Sequence, residues 1–272
     1  MRYALFGRGT GLQVSSLNLG TGRLGKVGGY GAEPEDVPAV QRAYGEAGGN
    51  LIDTSDAYQQ GQSEVAIGNF VAADRDDFVI SSKYSRTPRA DPAIAARGAH
   101  RKAMIQSVEA SLTGLKTDRI ELYLVHTDDG VTPVVEIARG FDDLVRAGKI
   151  VYGGFFNTPA WRVAIAAATA DLRGWASIAA VQVEYSLLQH TGEREMLPIA
   201  EAFGLGVMGY SPLAAGLLTG KYREGETGGP WTSRRASGTR STAPEWDCRP
   251  WDRSHRSHNT RSKTGLVQDE LS

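Results

Sequence analysis

Short apolar runs that end in polar residues alternate with longer amphipathic segments along most of this chain. Strands that alternate with helices of this length are typical of parallel βαβ units. The predicted strands are residues 17–20, 50–53, 78–82, 119–126, 150–155, 178–183 and 205–210. The predicted helices are residues 35–47, 101–115, 133–147, 159–170 and 193–203. Seven such repeats in about 210 residues favour a (β/α)8 TIM-type barrel, although the pattern alone also allows an open doubly wound sheet.

The alternation stops near residue 226, so the predicted barrel lacks a recognisable eighth β/α unit. Residues 227–263 contain no Leu, Ile or Val, and they hold three of the chain's 5 Trp and its only Cys. Such a segment cannot supply a buried strand or an amphipathic helix. We therefore predict an incomplete barrel at residues 1–226 and an atypical, disordered tail at residues 227–272. A shifted reading frame near codon 227 would explain the tail, and translating the other frames of the gene tests that hypothesis.

Charge, cysteine content and hydropathy argue against several classes of protein. The formal net charge is −1, which offers no basic surface to nucleic acid. A single cysteine, Cys248, excludes an internal disulfide framework and fits a reducing cytosol. No apolar run approaches the ~20 residues that span a bilayer, and the first residues lack the apolar core of a secretion signal. Because the histidines also lack metal-ligand spacing, we expect a cytoplasmic protein without metal, nucleic-acid or membrane partners.

Four side chains that can take part in proton transfer lie at or just after the carboxyl ends of predicted strands. Asp53 ends the second strand, and Tyr58 follows it by five residues. Lys83 lies at the end of the third strand and His126 at the end of the fourth. In a β/α barrel these strand ends meet on one face, where active sites lie. The sequence therefore predicts that the four side chains converge.

Together the four side chains suit the reduction of a carbonyl group. A carbonyl that accepts a hydride also needs a proton on its oxygen, which Tyr58 can donate. The ordinary pKa of a tyrosine, about 10, is high for this task, and a neighbouring Lys83 ammonium would lower that pKa. Asp53 would keep Lys83 charged and in place. His126 would orient or polarise the carbonyl oxygen through a hydrogen bond.

Each of the four residues also has a structural interpretation when it is taken alone. Asp53 can cap the turn after its strand, and Tyr58 can be a packed aromatic with a bonded hydroxyl. Lys83 can be a solvated surface cation, and His126 can be a hydrogen-bonded core histidine. The combination of all four in one pattern favours the catalytic interpretation over these alternatives.

The surrounding sequence resembles the aldo-keto reductase family at several motifs. The chain reads Leu-Gly-Thr-Gly at 19–22, Asn-Leu-Ile-Asp-Thr-Ser-Asp-Ala-Tyr at 50–58 and Gly-Gln-Ser-Glu at 61–64. It then reads Gly-Lys-Ile-Val-Tyr-Gly-Gly-Phe at 148–155 and Gly-Tyr-Ser-Pro-Leu-Ala-Ala-Gly-Leu-Leu-Thr-Gly-Lys at 209–221. The resemblance covers residues 1–226. It implies a (β/α)8 barrel whose catalytic tetrad is Tyr58, Asp53, Lys83 and His126.

The resemblance also implies a bound NADPH or NADP+, with NADH as the open alternative. Asn157 and Gln182 would hold the nicotinamide carboxamide, and Tyr210 would stack on the nicotinamide ring. The pyrophosphate would meet Ser211 and Leu213, and the ribose side would be lined by Gly20, Thr21 and Asp53. The structural alternatives are capping or turn roles for Asn157, Gln182 and Ser211, and a core position for Tyr210.

Two departures from the family pattern bear on the predicted cofactor site. The family has Ser-Asn after its fifth strand where this chain has Phe156-Asn157. The serine hydroxyl contact is therefore lost, and a bulky phenyl ring is expected near the carboxamide. The basic cluster that would hold the adenosine 2′-phosphate has no match in the tail.

The function that the sequence predicts is NADPH-dependent reduction of an aldehyde or ketone to an alcohol, or the reverse oxidation, with a small-molecule carbonyl compound as substrate. Two rival interpretations stay open. One is a non-catalytic, cofactor-binding regulatory subunit of the same fold, and the other is an inactive truncated remnant.

Overall fold

The computed structural model of the chain describes residues 1–27, 31–88 and 91–220. Its strands are β1 (Tyr3–Leu5), β2 (Gln13–Ser15), β3 (Leu19–Gly20), β4 (Leu51–Asp53), β5 (Val79–Tyr84), β6 (Ile120–Val125), β7 (Ile150–Phe156), β8 (Ile178–Glu184) and β9 (Gly206–Tyr210). Its helices are α1 (Val37–Glu46), α2 (Gln62–Val71), α3 (Arg101–Leu115), α4 (Val134–Arg146), α5 (Ala160–Arg173) and α6 (Met196–Phe203). The predicted disordered tail at residues 227–272 lies outside the described residues.

Strands β3 to β9 form one seven-stranded parallel sheet in which every strand pairs with its neighbours in the sequence. One helix connects each strand to the next, from α1 between β3 and β4 to α6 between β8 and β9. The register sets Asp53 opposite Ser81 and Lys83 opposite Leu124, so the carboxyl ends of these strands lie side by side. This is the architecture of an incomplete (β/α)8 barrel, and the predicted fold class is confirmed.

One face of the sheet changes from apolar to polar between the amino and carboxyl ends of the strands. Alternate strand residues share a face, and the apolar ones on this face form a single buried cluster. The cluster contains Leu51, Val79, Leu122, Leu124, Ala180 and Met208 from the sheet, together with Phe6 and Val14 from the hairpin of β1 and β2. On the same face, Asp53 lies two residues after Leu51 in β4, and His126 lies two residues after Leu124, directly beyond β6. Strand β5 contributes Lys83 to this face. The strand alternation therefore places the polar side chains together above an apolar floor.

The opposite face of the sheet packs against the helices in a second, larger core. Helix α3 contributes to this core with side chains at helical spacing, namely Met104, Val108, Ser111, Leu112 and Leu115, all buried. Strand residues Ile52, Ile80 and Tyr123 meet the helices from the other side and are fully buried. The helix layer thus holds the strands, and with them the polar strand ends, in fixed positions.

Helix α2 is a finding that the sequence pattern did not predict. It begins at Gln62, directly after a short 3-10 turn at Tyr58–Gly61. A Cβ added at Gly68 would lie 2.6 Å from the backbone carbonyl of Leu115, so glycine allows α2 to approach the end of α3 closely. Helix α2 therefore anchors the loop that carries Tyr58.

The antiparallel hairpin of β1 and β2 was also not predicted. All three side chains of β1 are exposed, so β1 lacks the apolar alternation that marks a half-buried strand. The hairpin is instead closed by a hydrogen bond from the Phe6 N–H to the Leu12 carbonyl at 2.8 Å. Phe6 is buried against β9, where a Cβ added at Gly206 would lie 2.5 Å from its ring.

In the part of the chain that the structure describes, no helix is both long and apolar enough to cross a membrane. Over the same residues, no group of three His, Cys, Asp or Glu side chains is placed to hold a metal ion.

Substitution of Gly154 by alanine tests the packing of the apolar floor. A Cβ at this position would lie 2.5 Å from the Ala180 carbonyl oxygen and 2.6 Å from Leu124 Cδ2. We expect Gly154→Ala to lower the free energy of unfolding by about 1–3 kcal/mol through overpacking, measured by urea denaturation. Gly11→Ala is the matched control, since a Cβ there meets nothing within 4 Å. Equal stability of the two variants would contradict the described packing.

Candidate active site

The four side chains of the predicted tetrad come together at the carboxyl ends of β4, β5 and β6. Asp53 is the last residue of β4, Lys83 lies near the end of β5, and His126 directly follows β6. Tyr58 reaches the same place from the loop after β4, where its ring lies edge to face with His126 at a centroid distance of 5.6 Å. The predicted convergence is therefore present in the structure, while the catalytic roles remain proposals.

Lys83 is the centre of the hydrogen-bond network. Its Nζ donates to Asp53 Oδ2 at 2.7 Å, to the Thr54 carbonyl at 2.9 Å and to the Tyr58 hydroxyl at 3.3 Å. Lys83 is fully buried, and an ammonium group has three protons to donate. The second oxygen of Asp53 accepts a hydrogen bond from the Ser81 hydroxyl at 2.9 Å. Every charged atom of the pair is therefore compensated.

Burial controls the ionisation of Tyr58. The pKa of the phenol is raised from its ordinary value because removal from water disfavours the phenolate, while the Lys83 ammonium lowers it and Asp53 raises it. The lowering influence of Lys83 that the sequence predicted is present, but desolvation outweighs it, so the pKa of Tyr58 in the resting site is above the ordinary value. Tyr58 therefore stays protonated in the ordinary pH range.

His126 is neutral in this environment. Burial lowers its pKa to about 2, and the positive charges of Lys83 and Arg86 act in the same direction. Its Nδ1 lies 3.0 Å from the Ser55 hydroxyl, so the other ring nitrogen is left for a hydrogen bond to a substrate. A neutral imidazole can orient a carbonyl oxygen without itself acting as an acid.

The predicted cofactor residues line the remaining strand ends. Asn157 follows β7, and its Nδ2 donates to the hydroxyl of Tyr210, the last residue of β9, at 2.7 Å. Gln182 of β8 is buried, and among the described residues its Nε2 donates only to the weak acceptor Met208 Sδ, at 3.9 Å. Ser211 continues the β9 end in a left-handed backbone conformation with φ of 55°. These four residues thus share the carboxyl edge with the tetrad.

Two predicted cofactor residues lie at the end of β3, and one in the loop beyond β9. The Thr21 hydroxyl and N–H both donate to the Asp53 carbonyl, at 3.0 and 2.9 Å, which joins β3 to β4. A Cβ added at Gly20 would meet nothing within 4 Å, so the space beside this glycine is open. Leu213 is 54% exposed. The structure therefore brings Gly20 and Thr21 next to Asp53 and leaves Leu213 at the surface.

The structure gives Phe156, Ser55 and Asp56 contacts at the site that the sequence did not predict. Phe156 stacks on Tyr210 with a centroid distance of 5.1 Å and meets the His126 ring edge to face at 5.1 Å. Ser55 and Asp56 follow β4 directly and contact each other at 3.2 Å. The signal in the sequence was position, because Phe156 directly follows one predicted strand and Ser55 and Asp56 follow another closely.

Comparison with models of protein families identifies the family of this chain. The model of the aldo/keto reductase family matches residues 16–263. The chain belongs to the aldo/keto reductase family. Members of this family act on small-molecule carbonyl compounds and typically use nicotinamide cofactors. The family resemblance drawn from the motifs is confirmed, and the family match extends beyond residue 226.

Several relatives are about one third identical to this chain. Aldo-keto reductase ausK from Emericella nidulans is 34% identical over 225 residues, which cover 79% of this chain and 56% of that protein. Uncharacterized oxidoreductase YrpG from Bacillus subtilis is 37% identical over 249 residues, which cover 87% and 73%. Norsolorinic acid reductase from Aspergillus flavus is 36% identical over 233 residues, which cover 81% and 60%. The chain thus spans little more than half of the first and third of these relatives.

The buried ion pair of Asp53 and Lys83 is tested by removing one or both charges. Asp53→Asn leaves the Lys83 ammonium buried without a counter-charge, so we expect the free energy of unfolding to fall by about 3–5 kcal/mol. Urea denaturation measures this loss. The double variant Asp53→Asn/Lys83→Met removes both charges and should recover most of the stability. An Asp53→Asn protein as stable as wild type would contradict the pairing.

Proposed function

We propose that this chain reduces an aldehyde or ketone to an alcohol, or catalyses the reverse oxidation, with NADPH as the hydride source. The observation that supports this proposal most is the chain of contacts from Asp53 through Lys83 to the Tyr58 hydroxyl, beside a neutral His126. This arrangement provides a proton donor and a carbonyl-orienting group at a strand-end face, where barrel active sites lie.

Tyr58 acts as the proton donor in the proposed reaction. Burial keeps the phenol in its acid form before the reaction, because the pKa is raised. When the proton leaves, negative charge develops 3.3 Å from the Lys83 ammonium, which stabilises the phenolate. Asp53 holds that ammonium in place at 2.7 Å. Lys83 therefore favours the state that forms during proton transfer more than the resting state.

His126 orients the carbonyl oxygen in the proposed reaction. Because burial and the nearby cations keep the ring neutral, it offers an N–H to the oxygen without competing with Tyr58 as the acid. Its ring faces the edge of Tyr58, so one carbonyl oxygen can accept hydrogen bonds from both groups. Two donors on one oxygen polarise the carbonyl carbon toward reduction.

The residues present fit a nicotinamide cofactor. The open space beside Gly20 accepts a group that approaches the backbone, and the weakly bonded amide of Gln182 has capacity to hold a carboxamide with Asn157. The Tyr210 ring would stack on the nicotinamide, and Ser211 and Leu213 would contact the pyrophosphate. When bound, the cofactor supplies the hydride, while the protein supplies orientation and the proton. The preference for NADPH over NADH is proposed from the family resemblance and is tested by comparing KM for the two.

Aryl aldehydes are the first substrates to test. The relative from Pestalotiopsis microspora, 30% identical over 225 residues, is named an aryl-alcohol dehydrogenase. In this chain the rings of Tyr58, His126, Phe156 and Tyr210 form a continuous series of aromatic contacts at the site. Such a surface favours planar aromatic substrates.

A panel of aryl and aliphatic aldehydes, with reduced cofactor consumption as the signal, tests the proposed function. Turnover of any member supports the proposal. Thermal stabilisation by NADPH without turnover would instead indicate a cofactor-binding regulatory subunit, because ligand that binds only the folded state raises its melting temperature. Neither turnover nor stabilisation would indicate an inactive remnant.

Replacement of Tyr58 by phenylalanine removes the proposed acid. We expect Tyr58→Phe to lower kcat for aldehyde reduction by about 10²- to 10⁴-fold and to leave NADPH binding unchanged, measured by cofactor fluorescence. Tyr3→Phe is the matched control, since it removes a hydroxyl on the exposed hairpin that bonds only the Gly48 carbonyl. Normal turnover in Tyr58→Phe would exclude Tyr58 as the acid.

Replacement of Phe156 by serine tests the departure from the family pattern. The Phe156 ring covers one face of Tyr210, and its removal should expose that ring and supply a hydroxyl for the carboxamide. We expect Phe156→Ser to tighten NADPH binding by roughly fivefold, the gain from one hydrogen bond, measured by fluorescence titration. Weaker binding in the variant would show that Phe156 itself supports the cofactor.

A further inference from the structure

One hydroxyl proton is shared by two acceptors beside the tetrad. Ser55 Oγ lies 3.0 Å from His126 Nδ1 and 3.2 Å from Asp56 Oδ1, and it accepts a hydrogen bond from the Ala57 N–H at 3.1 Å. Ser55, Asp56 and His126 are all buried. Because a serine hydroxyl has a single proton, Ser55 can donate to the imidazole or to the carboxyl group, but not to both.

Two arrangements of protons are consistent with the contacts of Ser55 Oγ and His126 Nδ1. If Asp56 is a carboxylate, Ser55 donates to it and His126 must carry its proton on Nδ1, which donates to Ser55 Oγ. If Asp56 is neutral, its O–H donates to Ser55 Oγ and Ser55 donates to His126 Nδ1. In the second arrangement the imidazole holds its proton on Nε2. The nitrogen that is protonated in a neutral histidine is set by the hydrogen bond of the other nitrogen.

We propose that Asp56 is a positioning residue that selects the tautomer of His126 through the Ser55 hydroxyl. The neutral acid of Asp56 gives the Nε2–H tautomer, and its carboxylate gives the Nδ1–H tautomer. His126 keeps one ring proton in both states, so the only proton exchanged with solvent resides on Asp56. The consequence for catalysis rests on the proposed function, because only Nε2–H can donate to a carbonyl oxygen when Nδ1 faces Ser55.

The surroundings of Asp56 favour its neutral acid. Its Oδ2 is buried and has no hydrogen-bond partner among the described residues. Burying an unpartnered oxygen costs less free energy in a neutral carboxylic acid than in a charged carboxylate. Burial raises the pKa of Asp56 to about 8, and the negative charge of Glu64 on α2 acts in the same direction. The Ser55 hydroxyl and the nearby polar groups of Ala57 and of Ser107 in α3 oppose this shift in the pKa of Asp56.

The other charged or titratable groups around Asp56 come from several elements. Lys83 of β5 accepts the Asp56 N–H at its carbonyl, at 3.3 Å. Burial raises the pKa of Tyr123 of β6 well above its ordinary value, and the negative charge of Asp56 raises it further. Tyr123 therefore stays neutral. Asp56 and Glu64 also line a groove of about 950 Å³ between α2 and α3, together with Lys102. This groove lies on the outer side of Asp56 and gives its proton a route to solvent apart from the barrel mouth.

The direction of the pH dependence follows from the raised pKa of Asp56. A carboxyl group with a raised pKa keeps its proton below that value and loses it as the pH rises through about 8. The Nε2–H tautomer therefore persists below about pH 8 and gives way to the Nδ1–H tautomer above it. Under the proposed function, kcat/KM for carbonyl reduction falls on the same alkaline limb.

Nitrogen-15 NMR of the histidine rings tests the proposal on the protein without cofactor, so the result does not depend on activity. In wild type we expect the Nδ1 and Nε2 signals of His126 to exchange their protonated and unprotonated shifts as the pH passes about 8. The Asp56→Asn side chain does not titrate, so the His126 ring should keep a single tautomer at every pH. A switch that persists in Asp56→Asn, or a wild-type ring with no switch, would overturn the proposal.

Glu64→Gln is the second variant, because it keeps Asp56 and Ser55 and removes a neighbouring charge. Its tautomer midpoint should move to lower pH, since Glu64 helps to raise the pKa of Asp56. A purely structural role of Asp56 would leave that midpoint in place, and an unmoved midpoint would contradict the proposal. If the tautomer switches but no aldehyde is reduced, the proposed function fails while the positioning role of Asp56 stands.

Discussion

The buried ion pair between Lys83 and Asp53 is the interaction on which the rest of the site depends. A fully buried ammonium is stable only when its charge is compensated, and the contacts to Asp53, Thr54 and Tyr58 provide this. These contacts fix the end of β5 relative to β4 and to the loop that carries Tyr58. Under the proposed function, the same ammonium stabilises the phenolate that forms when Tyr58 gives up its proton.

The strand alternation explains why this costly pair can exist. On one face of the sheet, apolar residues such as Leu51 and Val79 fill the amino end, and Asp53 and Lys83 occupy the carboxyl end. The apolar floor excludes water from below, which strengthens each electrostatic contact at the strand ends. Desolvation also shapes the titration of the site, because it raises the pKa of Tyr58 and lowers the pKa of His126.

Much of this fold and part of this site could be predicted from the sequence. Buried parallel strands such as β6 are rich in apolar residues, so the sequence locates the approximate strand ends, and with them Lys83 and His126. The hairpin of β1 was missed because its side chains are exposed, and α2 was missed because Gly68 interrupts its apolar pattern. The direction of the Tyr58 pKa shift could not be predicted, since it depends on the depth of burial and not on which residues are neighbours.

The measurement that tests the central claim most directly is the pKa of Tyr58 in wild type and in Lys83→Met/Asp53→Asn, followed by NMR of tyrosine labelled with carbon-13 at Cζ. The double variant leaves no unpaired buried charge, so it isolates the effect of the pair on the phenol. The account predicts a higher Tyr58 pKa in the variant, because the lowering influence of Lys83 exceeds the raising influence of Asp53. An unchanged or lower pKa in the folded variant would contradict the claim that Lys83 stabilises the Tyr58 phenolate.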